Sequence, residues 1–347
     1  MQLRDLFQHF LRPLRRRLRR PAGPRGGGAA MPESDAARPH LALALQGGGA
    51  LGAFTWGVLD RLLDVPEFDF AGVSGTSAGA VNAVVMAAGW VEGGAPEARI
   101  ALERVWRRIS ESAVLTPFGR QPFLPRLGLG HSVGAVALDV TTRLVSPYQL
   151  NPLALHPLRE ILADEVDFDA LRAPSCPPVL VAATRIDDGT ARIFDNAEIT
   201  LDSVIASTAL PLLHHAVEID GVEYWDGGYV ANPPLQALAA AVDPDDLLVV
   251  QLNPVRHEHR PRNAPDIIAR LNQIVFNRPL LDELAVLART RPELRLHRVA
   301  IDPGEAGGGA LSLDWSSLTG LRDHGRSAAA KWLESNTGSA GRLFTRP

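Results

Sequence analysis

Lysine is nearly missing from this chain: Lys331 stands alone, and arginine supplies the rest of the 35 basic residues. Such an Arg- and Ala-rich composition also follows from a GC-rich coding sequence, so it assigns no function. Cysteine is as scarce. The lone Cys176 excludes an intrachain disulfide and fits a reducing compartment. It also excludes a thiolate metal cluster, and His131, His156, His257 and His259 do not fall into ligand spacings, so neither metal nor cofactor is expected. No apolar run approaches the ~18 residues of a membrane span. The N-terminus carries positive charge without a signal-peptide apolar core behind it. The expected location is therefore the cytoplasm. A formal net charge of -4 gives no reason to expect nucleic acid as a partner.

What is present suits a globular enzyme-sized unit: 46% hydrophobic and 21% charged residues over 347 positions. Residues 1–40 read as an appendage. Leu3, Leu6, Phe7, Phe10, Leu11, Leu14 and Leu18 fall at helical spacing among arginines, the pattern of a basic amphipathic helix on an anionic surface, although Pro13 interrupts it. A flexible tail, or a true start at Met31, fits the same stretch. Peripheral contact at the inner membrane face is one expectation for this arm, and residues 336–347 read as a C-terminal tail.

Between them, 41–335 reads as one catalytic-sized domain. Short apolar runs at Leu41–Leu45, Phe70–Val73, Val179–Ile186, Ala191–Phe194, Ala216–Ile219, Leu247–Leu252 and Arg295–Ile301 predict strands. Helical spacing predicts helices over Ala53–Leu63, Ala78–Ala88, 97–110, 201–209, 233–241, 265–276, 279–290 and 317–334. Strands alternating with helices argue for a three-layer α/β/α fold around a mainly parallel sheet. The Pro- and Gly-rich interval 113–157 reads as a lid, a binding wall or a plain surface insertion.

Three motifs carry chemistry. Gly75-Thr76-Ser77-Ala78-Gly79 lies between a strand and a helix, the setting of a nucleophile elbow. The flanking glycines leave room for a sharp turn that exposes the serine hydroxyl. Gly47-Gly48-Gly49-Ala50-Leu51-Gly52 follows the first strand and, read alone, matches a dinucleotide fingerprint. That fingerprint wants an acidic residue ending the second strand, and Asp69 precedes the strand instead. An oxidoreductase is thus the weaker reading, and backbone amides near a nucleophile have a better use as an oxyanion hole. The third motif is Asp226-Gly227-Gly228, by itself a common turn.

Taken in order, these motifs resemble the bacterial branch of the patatin-like phospholipases, over roughly residues 41–335. The resemblance implies a patatin-like α/β fold and hydrolysis of carboxylic esters in lipids. It implies a Ser77–Asp226 dyad without histidine, and an oxyanion hole from the amides around Gly48, Gly49 and Ala50. The substrate expected is a lipid or other ester, and no cofactor is implied. Leu51 departs from the arginine that many members carry, which touches head-group preference but not the backbone donors. A Ser–Asp–His triad using His257, His259, His297 or His324 is a further reading; His214 and His215 precede Asp226 and break that order. A binding or regulatory protein without turnover is the alternative from another class.

Overall fold

A computed structural model describes residues 41–65, 68–115, 146–151, 156–256, 260–262, 264–302 and 313–336. The N-terminal arm, most of the 113–157 interval, His257, His259 and nearly all of the C-terminal tail lie outside these.

The chain forms an eight-stranded mixed sheet with the path β5-β6-β3-β2-β1-β7-β8, and β4 beside β3. The strands are β1 (Leu41–Leu45), β2 (Gly72–Gly75), β3 (Val179–Arg185), β4 (Ala191–Phe194), β5 (Val217–Ile219), β6 (Val222–Asp226), β7 (Asp246–Gln251) and β8 (Arg295–Ala300). Pairings β3–β2–β1–β7–β8 are parallel. Those joining β4 and β6 to β3, and β5 to β6, are antiparallel. The expected α/β class with a mainly parallel sheet is therefore the fold observed.

The helices are α1 (Gly52–Leu63), α2 (Ala78–Leu115), α3 (Pro157–Glu165), α4 (Leu201–Thr208), α5 (Leu235–Val242), α6 (Ala264–Thr290) and α7 (Trp315–Asn336), with a single turn at Pro147–Leu150. They cover both faces, and β1 shows how the sequence sorts them. Alternation along Leu41-Ala42-Leu43-Ala44-Leu45 sends the leucines into the larger core with α1, α2 and α7. The alanines enter the smaller core with Leu235 and Leu238 of α5 and Leu280 and Leu287 of α6.

Two helix boundaries differ from expectation. The helices expected at 78–88 and 97–110 belong to α2, which is broken at Gly93 and Gly94, where φ reaches -156° and 69°. The helices expected at 265–276 and 279–290 run together as α6 through Pro279. Proline there forgoes one backbone bond, and Leu280 and Leu287, both buried, anchor the turns that follow.

The register of β3 brings distant segments together. Val181 is flanked by Gly75 of β2 and Phe194 of β4. Ala183 is flanked by Arg192 of β4 and Asp226 of β6. Since β4 holds one edge over Val181–Thr184, β2 and β6 share the other, and β6 begins pairing just beyond where β2 stops.

Candidate active site

Ser77 sits two residues beyond the end of β2, at the start of α2. Its φ is 54°, a left-handed conformation that strains a residue with a Cβ. The turn survives because its surroundings leave no alternative. A Cβ on Gly75 would overlap the backbone of Gly79, and one on Gly79 would overlap the Leu45 carbonyl. Thr76 donates from Oγ1 to the Ala231 carbonyl at 2.7 Å, and the Ser77 amide donates to Ser207 Oγ of α4 at 2.9 Å. Ser77 is 7% exposed, at the N-terminal end of α2.

Asp226 ends β6 and is completely buried. Its amide donates to the Ala209 carbonyl at 2.8 Å, and its carbonyl accepts from Thr184 Oγ1 at 2.7 Å. Oδ1 accepts the Gly228 amide at 2.8 Å. Oδ2 is buried and has no hydrogen bond of ordinary geometry. The Ser77 hydroxyl is among the groups that act on this carboxylate. Burial raises the Asp226 pKa to about 7, against the opposing pull of the Gly228 amide and the Ser77 hydroxyl.

The glycine loop lies against the same serine. A methyl group on Gly47 would come within 2.8 Å of Ser77 Cβ and 2.9 Å of the Thr76 carbonyl oxygen. The Gly47 amide donates to Asn232 Oδ1 at 2.7 Å, and the Gly47 carbonyl accepts from Asn253 Nδ2 at 3.0 Å. Leu51 donates to the Gly48 carbonyl, closing a short turn. Gly49 takes a φ of 58° with open space around its Cα. Among the described residues, the amides of Gly48, Gly49 and Ala50 have no acceptor, and neither has that of Ala78 at the start of α2. Leu51 is buried in the larger core. Gly52 fits under α2, where a Cβ would press on Ala78, and Gly227 packs against β3 at Ala182 and against Thr76.

A network of buried amide side chains supports this loop. Gln46 Oε1 accepts the amides of Leu252 and Asn253 at 2.8 and 2.9 Å, and its Nε2 donates to Asn277 Oδ1 at 3.0 Å. Asn232 Nδ2 donates to the Phe276 carbonyl at 2.9 Å. Sequence reasoning missed Asn232, Asn253, Asn277 and Ser207. Only Asn232 carried a local signal, as the Asn-Pro-Pro that follows Asp226-Gly227-Gly228.

Four of the described histidines, His156, His214, His215 and His297, line other features. His297 faces Asp246 at 2.8 Å, at the amino end of β7, opposite the end that bears the glycine loop. His214 and His215 line a cavity of about 210 Å³ with His156, Arg159 and Asp202. Burial, together with His214 and Arg159, lowers the His156 pKa to about 4. A wider hollow of about 640 Å³ runs along Tyr229, Gln236, Ile274 and Val286. Ser77 lines neither. Among the described residues no cluster of His, Cys, Asp or Glu suits a metal ion, and no helix is long and apolar enough to cross a membrane.

Among solved structures, the chain is similar to VipD from Legionella pneumophila, at 14% identity and a TM-score of 0.44, covering 86% of this chain and 67% of that one. It is also similar to ExoU in the ExoU–SpcU complex of the Pseudomonas aeruginosa type III secretion system. There the identity is 16% and the TM-score 0.40, over 86% of this chain and 52% of that one, so this chain spans about half the length of ExoU. No curated protein matches it. The model of the patatin-like phospholipase family matches residues 43–239, from the middle of β1 through most of α5, a span that holds the glycine loop, Ser77 and Asp226. This chain belongs to the patatin-like phospholipase family.

Proposed function

We propose that the protein is a serine acyl hydrolase that cleaves carboxylic esters of lipids, with Ser77 as nucleophile and Asp226 as its base. One observation carries the reading: a buried carboxylate with a pKa raised to about 7 keeps Oδ2 without other partners beside a serine held in a strained turn. A base with a pKa near the working pH is well matched to proton transfer. Asp226 takes the Ser77 proton as Oγ attacks the ester carbonyl. The amides of Gly48, Gly49 and Ala50 stabilise the oxyanion, and the alcohol leaves with the proton. Water then attacks the acyl-enzyme by the same path, releasing the acid and restoring Ser77. Losing one oxyanion donor typically lowers turnover about 10²–10³-fold.

The lipid substrate class, whether phospholipid, lysophospholipid or simpler ester, comes from family membership. The test is hydrolysis of short- and medium-chain nitrophenyl esters by the wild type, Ser77→Ala and Asp226→Asn, each checked for folding. Activity in the wild type alone supports the dyad. Activity surviving in both variants sinks it.

A further inference from the structure

The first turns of α6 present an apolar stripe that nothing else in the described structure covers. Ile267, Leu271, Ile274 and Val275 are 43%, 55%, 49% and 42% exposed. Their spacing confines them to one face about 100° wide. Phe276 and Asn277, on the opposite side, are tied to the site. The Phe276 ring lies against Gly228 and stacks obliquely on Tyr229 at 5.1 Å, and Asn277 accepts from Gln46.

The direction of α6 decides where the stripe points. After Thr290 the chain enters β8, whose first residue pairs with Asp246 at the amino end of β7. The helix therefore runs from the carboxyl ends of the strands towards their amino ends. Phe276 and Asn277 stand level with the glycine loop and Gly228. The residues before them project beyond the strands on the side of Ser77. At 1.5 Å per residue, Ile267 stands about 13 Å further out than Phe276.

Arginines precede and flank the stripe on the segment that leads from the carboxyl end of β7 into α6. Arg256, Arg260 and Arg262 precede the helix, and Arg270 flanks the apolar face. Among the described residues none of the four has a carboxylate partner, and Arg270 donates to the Val255 carbonyl at 2.9 Å and to the Gln273 side chain at 3.2 Å. An exposed apolar face with arginines before and beside it, for which no carboxylate partner exists among the described residues, complements an anionic lipid leaflet. A protein partner of mixed charge has no such need of them.

We infer that the projecting half of α6 docks the enzyme on anionic lipid membranes, with Leu271 and Ile274 entering the interface and the arginines meeting the head groups. The surface serves the lipid-ester hydrolysis proposed above and rests on that reading for its purpose. Binding itself is measured in Ser77→Ala, so turnover does not enter the readout.

The experiment is co-sedimentation of the full-length Ser77→Ala chain with phosphatidylglycerol–phosphatidylcholine vesicles and with pure phosphatidylcholine vesicles. Binding to the anionic vesicles is expected, weakened by salt. Adding Leu271→Asp and Ile274→Asp should reduce partitioning at least about tenfold. Ile100→Asp, at an equally exposed site on α2 (51%), should leave it unchanged. Absence of binding would overturn the inference. So would undiminished binding by the double variant, which would give the role to another segment such as the N-terminal arm. A wild-type dimer that the double variant converts to monomer, without vesicle binding, would assign the stripe to a second copy and overturn it equally.

Discussion

Gly75 and Asp226 stand two pairing positions apart on one edge of β3, opposite Val181 and Ala183. That edge is shared because β2 stops at Gly75 and β6, running the other way, ends at Asp226. Two chain segments about 150 positions apart in sequence thus bring the turn that carries Ser77 and the strand end that carries Asp226 to the same edge of β3. The same register buries Asp226 completely, and this burial sets its acidity.

The first prediction follows from that acidity. Only the carboxylate form of Asp226 accepts the Ser77 proton, so kcat/KM should rise with pH through an apparent pKa of about 7. A pH–rate profile on a soluble nitrophenyl ester checks it. A profile flat from pH 5 to about 9 would remove Asp226 as the base.

Stability should move the other way. The folded pKa of Asp226 lies above its unfolded value near 3.9, so the folded state holds the proton more tightly. Its contribution is complete below about pH 4 and is lost as pH rises through about 7. Asp226→Asn, which stays neutral, should therefore stabilise the protein at pH 8 by about 1–4 kcal/mol and have little effect at acid pH. Denaturant titrations at both pH values measure this. Glu283, also raised to about 7 by burial, contributes with the same sign, and Glu283→Gln separates the two.

Much of this arrangement was legible beforehand. The strands at 41–45 and 191–194 fall where short apolar runs put them, and the three motifs sit on the turns expected of them. Their meeting was not legible, because strand order and the sharing of one β3 edge leave no local pattern. The helix at Pro157–Glu165 escaped notice within a Pro-rich stretch, though Pro157 at its first turn is an ordinary helix-start signal. The amide network was harder still. Gln46, Asn232 and Asn277 act across 185 to 231 positions, and a buried Asn looks like any other until the chain is folded.

Asn232 provides a third prediction. Its Oδ1 is the acceptor for the buried Gly47 amide, so Asn232→Ala should leave that donor unsatisfied and destabilise the fold by about 1–3 kcal/mol. It should also lower kcat more than it raises KM, because the loop it holds is proposed to act on the transition state. Asn232→Asp keeps an acceptor oxygen and should recover part of the loss. Equal kcat in wild type and Asn232→Ala would contradict the positioning role.

Gly47→Ala gives a fourth. The added methyl group has to displace Ser77 Cβ, the Thr76 carbonyl or Asn232 Oδ1. A stability loss of about 1–3 kcal/mol is expected from overpacking. The shift falls on the nucleophile, so turnover should drop at least about 10²-fold, since misplacement by about 1 Å is enough for that. Ester hydrolysis by a variant confirmed as folded checks it, and near-wild-type turnover would contradict the close contact.

The most direct test of the central claim is intact-mass and peptide mass spectrometry after treatment with a fluorophosphonate, which reacts covalently with activated serines. One adduct per chain is expected, located on the peptide containing Ser77, absent in Ser77→Ala and formed much more slowly in Asp226→Asn. An adduct on another residue, or a labelling rate unchanged by Asp226→Asn, would contradict the Ser77–Asp226 account.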